Sequence, residues 1–335
     1  MIFVTGATGH IGNVLVRQLL ALGKKVRVLK LPGEDPTPLK DLDVEVIEGD
    51  VLDQPLLQRA LQGVKHVYHL AGVISIVPGV SRILDRVNVQ GTRTILAACR
   101  EAGVERVVYT SSIHAFAEAP LGTPMDEQQP FDPALALDDY GRSKAQASLE
   151  VVEAARQGLD AVIVCPTGVI GPYDFRRSEM GEVVKTFAQR GPKLYVDGAY
   201  NFVDVRDVAA GHILACERGK PGESYILAGE RITVKRLMEL VEELTGRHAP
   251  HWHVPLWMAR WAAHVAPVYY RLTRTKPQIT PSALRTLASN SDISAAKAQR
   301  ELGYRARSLR DSLLDTLSWL RASNRLAWVP VKIKD

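Results

Sequence analysis

Short, nearly unbroken apolar runs alternate with helical patterns through the first half of the chain. Ile2-Phe3-Val4 reads as a strand, and Ile11, Leu15, Leu19 and Leu22 then share one helical face that Gly23 terminates. Val26 to Leu29 and Val44 to Ile47 are the next strands, and Asp53 caps a short helix ending near Gly63. Val64 to Ala71 is a strand, followed by a long helix over 87–102 and a strand over 104–110. A helix over 138–157 and a strand over 161–165 complete this half. Strict strand–helix alternation implies parallel strands joined by right-handed crossovers. Continuous apolar runs imply strands covered on both faces. The expected fold class is therefore α/β, a doubly wound parallel sheet.

The texture changes after Pro166, where Gly, Pro and aromatic residues separate shorter elements. Helices are expected over 203–216 and 233–245, with Tyr225-Ile226-Leu227 a strand between them. From Pro255 onward the pattern is mostly helical, which predicts a smaller, mostly helical C-terminal lobe. Residues 1–166 are expected to form the dinucleotide-binding half and 167–330 the substrate lobe, interleaved because later strands return to the core sheet. The stretch from Trp257 to Tyr270 reads as a packed amphipathic helix, with a substrate lid or a lipid contact as alternatives.

Composition narrows the function classes. The 335 residues carry 42 Lys plus Arg against 37 Asp plus Glu, a net charge of +5. No basic run marks a nucleic-acid arm, so no nucleic-acid partner is expected. No window reaches the roughly 18 uncharged apolar residues of a membrane span, and no basic segment leads into a long apolar stretch at the N-terminus. Cys99, Cys165 and Cys216 are odd in number, far apart and in apolar contexts. They read as buried thiols of a reducing compartment, without metal-ligand spacing. A cytoplasmic location with no metal site is expected.

Residues 5–12 read Thr-Gly-Ala-Thr-Gly-His-Ile-Gly, between the first strand and the first helix. Gly6, Gly9 and Gly12 suit a tight turn needing positive φ, close backbone approach to a pyrophosphate, and close helix–strand packing. The helix start then offers N–H donors and a partial positive charge. NAD-binding folds commonly place an acid after the second strand to hold the ribose 2′-OH. Here Lys30 stands near that place, so NADP(H) is favoured, with NAD(H) as the alternative.

Tyr140 and Lys144 lie four apart on one helix face. An ammonium there would lower the phenol pKa and make Tyr140 a usable acid/base. The strand ending Tyr109-Thr110-Ser111-Ser112 places hydroxyls at a carboxyl edge, where ligands of parallel sheets bind. Ser111 and Ser112 cannot be separated by chemistry alone; either could stabilise developing oxyanion charge. His114 reads as a surface or capping histidine.

The ordered motifs TGATGHIG (5–12), GDVLD (49–53), HLAG (69–72), NVQGT (88–92), YTSS (109–112), YGRSK (140–144) and CPTGVIGP (165–172) resemble the extended short-chain dehydrogenase/reductase family across nearly the whole chain. The resemblance implies a Rossmann-type sheet and the catalytic set Ser112, Tyr140 and Lys144. It implies cofactor contacts from Gly6, Thr8, Gly9, His10, Ile11, Gly12, Lys30, Asp50, Val51, Leu70, Ala71, Gly72, Asn88, Thr110, Tyr140, Lys144, Pro166, Gly168 and Val169. Within the family the chain looks most like the dihydroflavonol-reductase-like branch, through Val203 to Ala209 and Ile293 to Tyr304. That branch's NADP-type reductases often have arginine where Leu31 stands here.

The expected reaction is ketone–secondary alcohol interconversion on an uncharged, bulky hydrophobic molecule. Ile74, Ile76, Phe116, Met125, Tyr173, Phe175 and Phe202 are the candidate pocket residues. Competing readings are an NAD-dependent 3-beta-hydroxysteroid-type dehydrogenase, a sugar-nucleotide epimerase and a non-catalytic NADP(H)-sensing regulator. The family resemblance further implies a homodimer, through helices bearing residues 88–102 and 140–157.

Overall fold

The structure is a computed structural model that describes residues 1–75, 80–191, 194–248, 252–259, 261–262 and 281–326. The strands are β1 (Ile2–Thr5), β2 (Val26–Lys30), β3 (Glu45–Glu48), β4 (His66–His69), β5 (Arg106–Thr110) and β6 (Ala161–Pro166). They continue with β7 (Gly168–Ile170), β8 (Leu194–Val196), β9 (Ala199–Asp204), β10 (Ser224–Leu227), β11 (Glu230–Thr233) and β12 (Trp252–Val254).

Seven strands form one parallel sheet in the order β10-β6-β5-β4-β1-β2-β3. The order reverses between β1 and β4, so the chain leaves their carboxyl ends in opposite directions and opens a crevice there. The helices His10–Ala21 and Val205–Arg218 pack together on one face, while Gln54–Ala60, Gly91–Glu101 and Asp139–Arg156 form the other layer. Phe3, Val4, Val28, Val67, Val107, Val108 and Ile163 are fully enclosed between these layers. Each such side chain contributes about 1.5–3 kcal/mol of burial. Cys99, Cys165 and Cys216 are free and buried.

Asp53 caps its helix as expected, accepting from the Leu56 N–H at 3.0 Å. Asp138 caps Asp139–Arg156 through the Gly141 N–H at 2.8 Å. The helix expected over 87–102 begins at Ser81, and its Asp85–Gln90 portion is π-helical before Gly91–Glu101 resumes the α form.

The C-terminal lobe is mostly helical, as expected, with short strands added to it. It contains a three-stranded sheet, β11-β9-β7, and a parallel pair, β12-β8. Helices Glu179–Arg190, Val234–Thr245 and Leu309–Ala322 cover the larger of these around Ile170, Phe202, Leu240 and Leu313. The strands are three to six residues long, too short for alternation to declare them. Residues 256–259 are helical, but Trp257 and Trp261 are exposed rather than packed. Tyr269 and Tyr270 lie outside the described residues. No helix among the described residues is long and apolar enough to cross a membrane.

Candidate active site

The turn after β1 is shaped by backbone contacts that exclude side chains. Gly6 has φ of +69°, and a Cβ there would lie 2.6 Å from the Leu70 carbonyl carbon. A Cβ on Gly12 would lie 2.1 Å from the Gly6 oxygen. Gly9 begins the helix without a side-chain cap. The N–H groups of His10, Ile11 and Gly12 therefore open the helix without intrahelical acceptors. Such a cradle fits the pyrophosphate of a dinucleotide.

Beside it, a directed chain of hydrogen bonds fixes the loop after β4. Thr92 Oγ1 donates to the Asn88 carbonyl at 2.6 Å. It is left to accept from His69 Nε2 at 3.1 Å. His69 Nδ1 then accepts from Thr5 Oγ1 at 2.7 Å, and Thr5 Oγ1 accepts from the Ala71 N–H at 3.1 Å. Burial holds His69 down at about 3, so the ring is neutral and keeps these roles. Leu70, Ala71 and Gly72 are thereby set against the glycine turn. Asn88 continues the support: its Oδ1 accepts from the Val73 N–H at 2.8 Å, and its Nδ2 donates to the Val73 carbonyl at 3.0 Å and Ser143 Oγ at 2.9 Å.

Around the end of β2, Lys30 is engaged in an ion pair. Lys30 Nζ pairs with Glu48 Oε1 at 2.6 Å and lies 3.5 Å from the Glu34 carbonyl. Glu34, a residue without a role in the sequence reading, accepts from Thr8 Oγ1 at 2.7 Å and pairs with Arg176. Asp50 accepts from the Leu52 N–H at 3.0 Å, which fixes the turn carrying Val51. Val51 is buried against Gly91.

Ser112, Tyr140 and Lys144 meet at the carboxyl end of β5, each almost fully buried. Burial pushes the Tyr140 phenol up to about 12, opposed by a hydrogen bond with the Ser112 side chain. Ser112 Oγ also accepts from the His114 N–H at 3.2 Å. Gly141 lets the helix approach: a Cβ there would sit 2.5 Å from the His114 oxygen. His114 is half-buried and packs edge-on against Tyr140, with ring centres 6.4 Å apart. Ser111 turns away to Ser148 Oγ at 2.7 Å, which separates the two serines.

Lys144 departs from the expected direct coupling to Tyr140. Its Nζ donates to the Thr110 carbonyl at 2.6 Å and to the Tyr109 hydroxyl at 3.2 Å. Helical spacing places Lys144 and Tyr140 on one face, but the long lysine side chain reaches the strand end instead. Burial lowers Lys144 to about 8. Tyr109 is thus a member of the cluster that spacing did not reveal. Thr110 Oγ1 donates to His212 Nε2 at 2.7 Å, because His212 Nδ1 must donate to the Val208 carbonyl at 2.8 Å. Pro166 ends β6, and Gly168 and Val169 begin the lobe in β7.

The expected pocket residues scatter. Met125 is buried in the main core, with an isolated bridge to Ile293. Phe116 stacks on Phe131 at 4.5 Å between ring centres and is also core. Phe202 is buried in the lobe core, though its ring edge comes close to Gly168. Tyr173 lies under Arg17 of the first helix, 4.7 Å from the guanidinium, whereas Phe175 meets Trp319 of the lobe at 5.3 Å. Ile74 is exposed in the loop after β4. Ile76 lies outside the described residues.

Known proteins match this architecture. The model of the NAD dependent epimerase/dehydratase family covers residues 2–228. Sterol demethylase protein B of Methylococcus capsulatus is 38% identical over 322 residues, covering 95% of this chain and 97% of that protein. A putative dihydroflavonol 4-reductase of Synechocystis is 37% identical over 323 residues, covering 95% and 94%. The crystal structure of gox2253 superposes with a TM-score of 0.87 at 34% identity, covering 98% and 99% of the two chains. With its glycine turn, β1/β4 crevice and Ser112–Tyr140–Lys144 cluster, the chain belongs to the NAD-dependent epimerase/dehydratase family, the extended short-chain dehydrogenases/reductases, and is an NAD(P)-dependent oxidoreductase.

Proposed function

We propose that the protein interconverts a ketone and a secondary alcohol on an uncharged, hydrophobic small molecule. One observation carries the reading: Ser112, Tyr140 and Lys144 are brought together, each almost fully buried, at the carboxyl end of β5, where parallel sheets hold their ligands. Bound nicotinamide would exchange the hydride with the carbinol carbon. Tyr140 keeps its proton at neutral pH and can deliver it to a developing alkoxide. Ser112 can hold the same oxygen by hydrogen bonding. Lys144, anchored on Thr110 and Tyr109 one helical turn from Tyr140, would hold the nicotinamide ribose hydroxyls. Relatives named for a sterol and a dihydroflavonol point to a bulky apolar substrate.

In this reading residues 1–166 supply the cofactor half and 167–330 the substrate half. The working form is a homodimer built on helices of the 81–101 and 139–156 segments, where Ile83 and Leu149 are exposed. The test is turnover of a panel of hydrophobic ketones with both reduced dinucleotides. Tyr140→Phe should lower kcat by about 10²–10⁴-fold with little change in melting temperature. Undiminished turnover in that variant would refute the mechanism.

A further inference from the structure

The end of β2 is where a dinucleotide-binding sheet distinguishes a ribose diol from a ribose 2′-phosphate. Charged groups of both signs converge there: Lys30, Glu34, Asp35, Glu48 and Arg176, with Arg325 near enough to act on Asp35. Lys30, with its side chain only 10% exposed, is held by Glu48. Arg176, from the lobe segment after Gly171, is held by Glu34. Lys30 and Arg176 are thus already paired, and Arg325 donates to the Phe175 carbonyl at 2.8 Å. Leu31 is exposed and adds no charge.

Glu34 is the group nearest the phosphate cradle. One of its oxygens takes the Arg176 guanidinium, and the other accepts from Thr8 Oγ1 at 2.7 Å. Thr8 lies between Gly6 and Gly9, so the carboxylate stands at the lip of the turn. The lobe segment that carries Arg176 is itself fastened to the first helix. His10 Nε2 donates to the Pro172 carbonyl at 3.0 Å, Asn13 Nδ2 donates to the Tyr173 carbonyl at 3.1 Å, and Arg17 covers the Tyr173 ring. The Glu34–Arg176 pair is therefore part of a fixed seam rather than an isolated surface contact.

We infer that Glu34, braced across the glycine turn by Thr8 and Arg176, selects the dinucleotide without a 2′-phosphate. The assignment rests on the reading that this turn holds a nicotinamide dinucleotide. A carboxylate accepts both hydrogen bonds of a ribose diol. A 2′-phosphate carries about two negative charges at neutral pH. To gain Lys30 or Arg176, the cations nearest the turn, it would have to separate Lys30 from Glu48 or Arg176 from Glu34. Either exchange leaves a carboxylate facing the phosphate, the kind of like-charge contact that rejects a wrong partner. The preference is thus for NAD(H), opposite to what Lys30 alone suggests.

The test is fluorescence titration of the full chain with NADH and NADPH, with thermal melting alongside. The wild-type protein should bind NADH at least about tenfold more tightly. Glu34→Gln should bring the two affinities within about threefold, chiefly by strengthening NADPH binding. Arg176→Gln leaves the carboxylate uncompensated and should widen the NADH preference. Equal binding or a preference for NADPH in the wild type overturns the assignment, as does an unchanged ratio in a folded Glu34→Gln protein. A narrowed ratio in Arg176→Gln also overturns it, because Arg176 would then be a phosphate reader. Binding of neither dinucleotide would instead refute the cofactor site itself, and this assignment with it.

Discussion

Asn88 offers a sharp test of how the site is held. It is 1% exposed and makes three side-chain hydrogen bonds that join the loop after β4 to the helix carrying Tyr140. Asn88→Ala removes all three. Ser143 keeps its bond to the Tyr140 carbonyl at 2.8 Å, so its loss is partial. The Val73 N–H and carbonyl lose their side-chain partner together. Stranding a buried polar group costs about 1–3 kcal/mol, and Val73 is only half-buried, so the sum is about 2–4 kcal/mol. A chain of this size should then melt about 3–6 °C lower. A local readout separates this cause from general loosening: the Val73 amide should lose its protection from hydrogen exchange while amides of β1 and β5 keep theirs. Gly72 precedes Val73, and a Cβ on it would lie 3.7 Å from Lys144 Nζ, so dinucleotide affinity should also fall. A melting point within about 1 °C of the wild type, with Val73 still protected, would show that Asn88 does not carry this loop.

Two further outcomes follow from the same geometry. Gly12→Ala sets a Cβ 2.1 Å from the Gly6 oxygen, a backbone atom that cannot swing aside. Overpacking of this kind costs about 1–3 kcal/mol or more. Dinucleotide titration should register lost binding, and unchanged affinity would argue against the cradle. His69 and His212, held by burial at about 3 and about 4, stay neutral in the native state, while their unfolded counterparts take protons near the ordinary histidine value. Their contribution is complete above about pH 6.5 and is lost as pH falls toward 4, at about 1.4 kcal/mol per unit for each ring. Urea unfolding at pH 7 and pH 5 should show this loss; equal stability would refute the burial argument.

The parts legible in the sequence are those fixed by local physics. β1, β5 and β6 are unbroken apolar runs because both faces are covered, and the glycine turn is written in residues that alone tolerate it. What escaped depends on partners distant along the chain. Lys30 looked free because Glu48 lies on the next strand and Glu34 reaches it from a loop. Lys144 was assigned to Tyr140 because helical spacing gives a face and not a side-chain path, and Tyr109 took its ammonium. Met125 and Phe116 show the same limit: an apolar residue after a strand reads alike whether it lines a pocket or fills a core. The π-helical turn at Asp85–Gln90 left no periodic signature.

The placement of β10 has a consequence for synthesis. The chain leaves the sheet at Pro166, builds part of the lobe, and only then returns to pair β10 with β6. Every residue of β6 is buried in the finished protein. A nascent chain that has not yet delivered Leu227 therefore presents β6 as an uncovered apolar edge, the form of strand most prone to pair with a neighbouring molecule. Translation speed through 167–223 sets how long that edge stays open, so slow codons placed there would burden chaperones more than slow codons placed after residue 228.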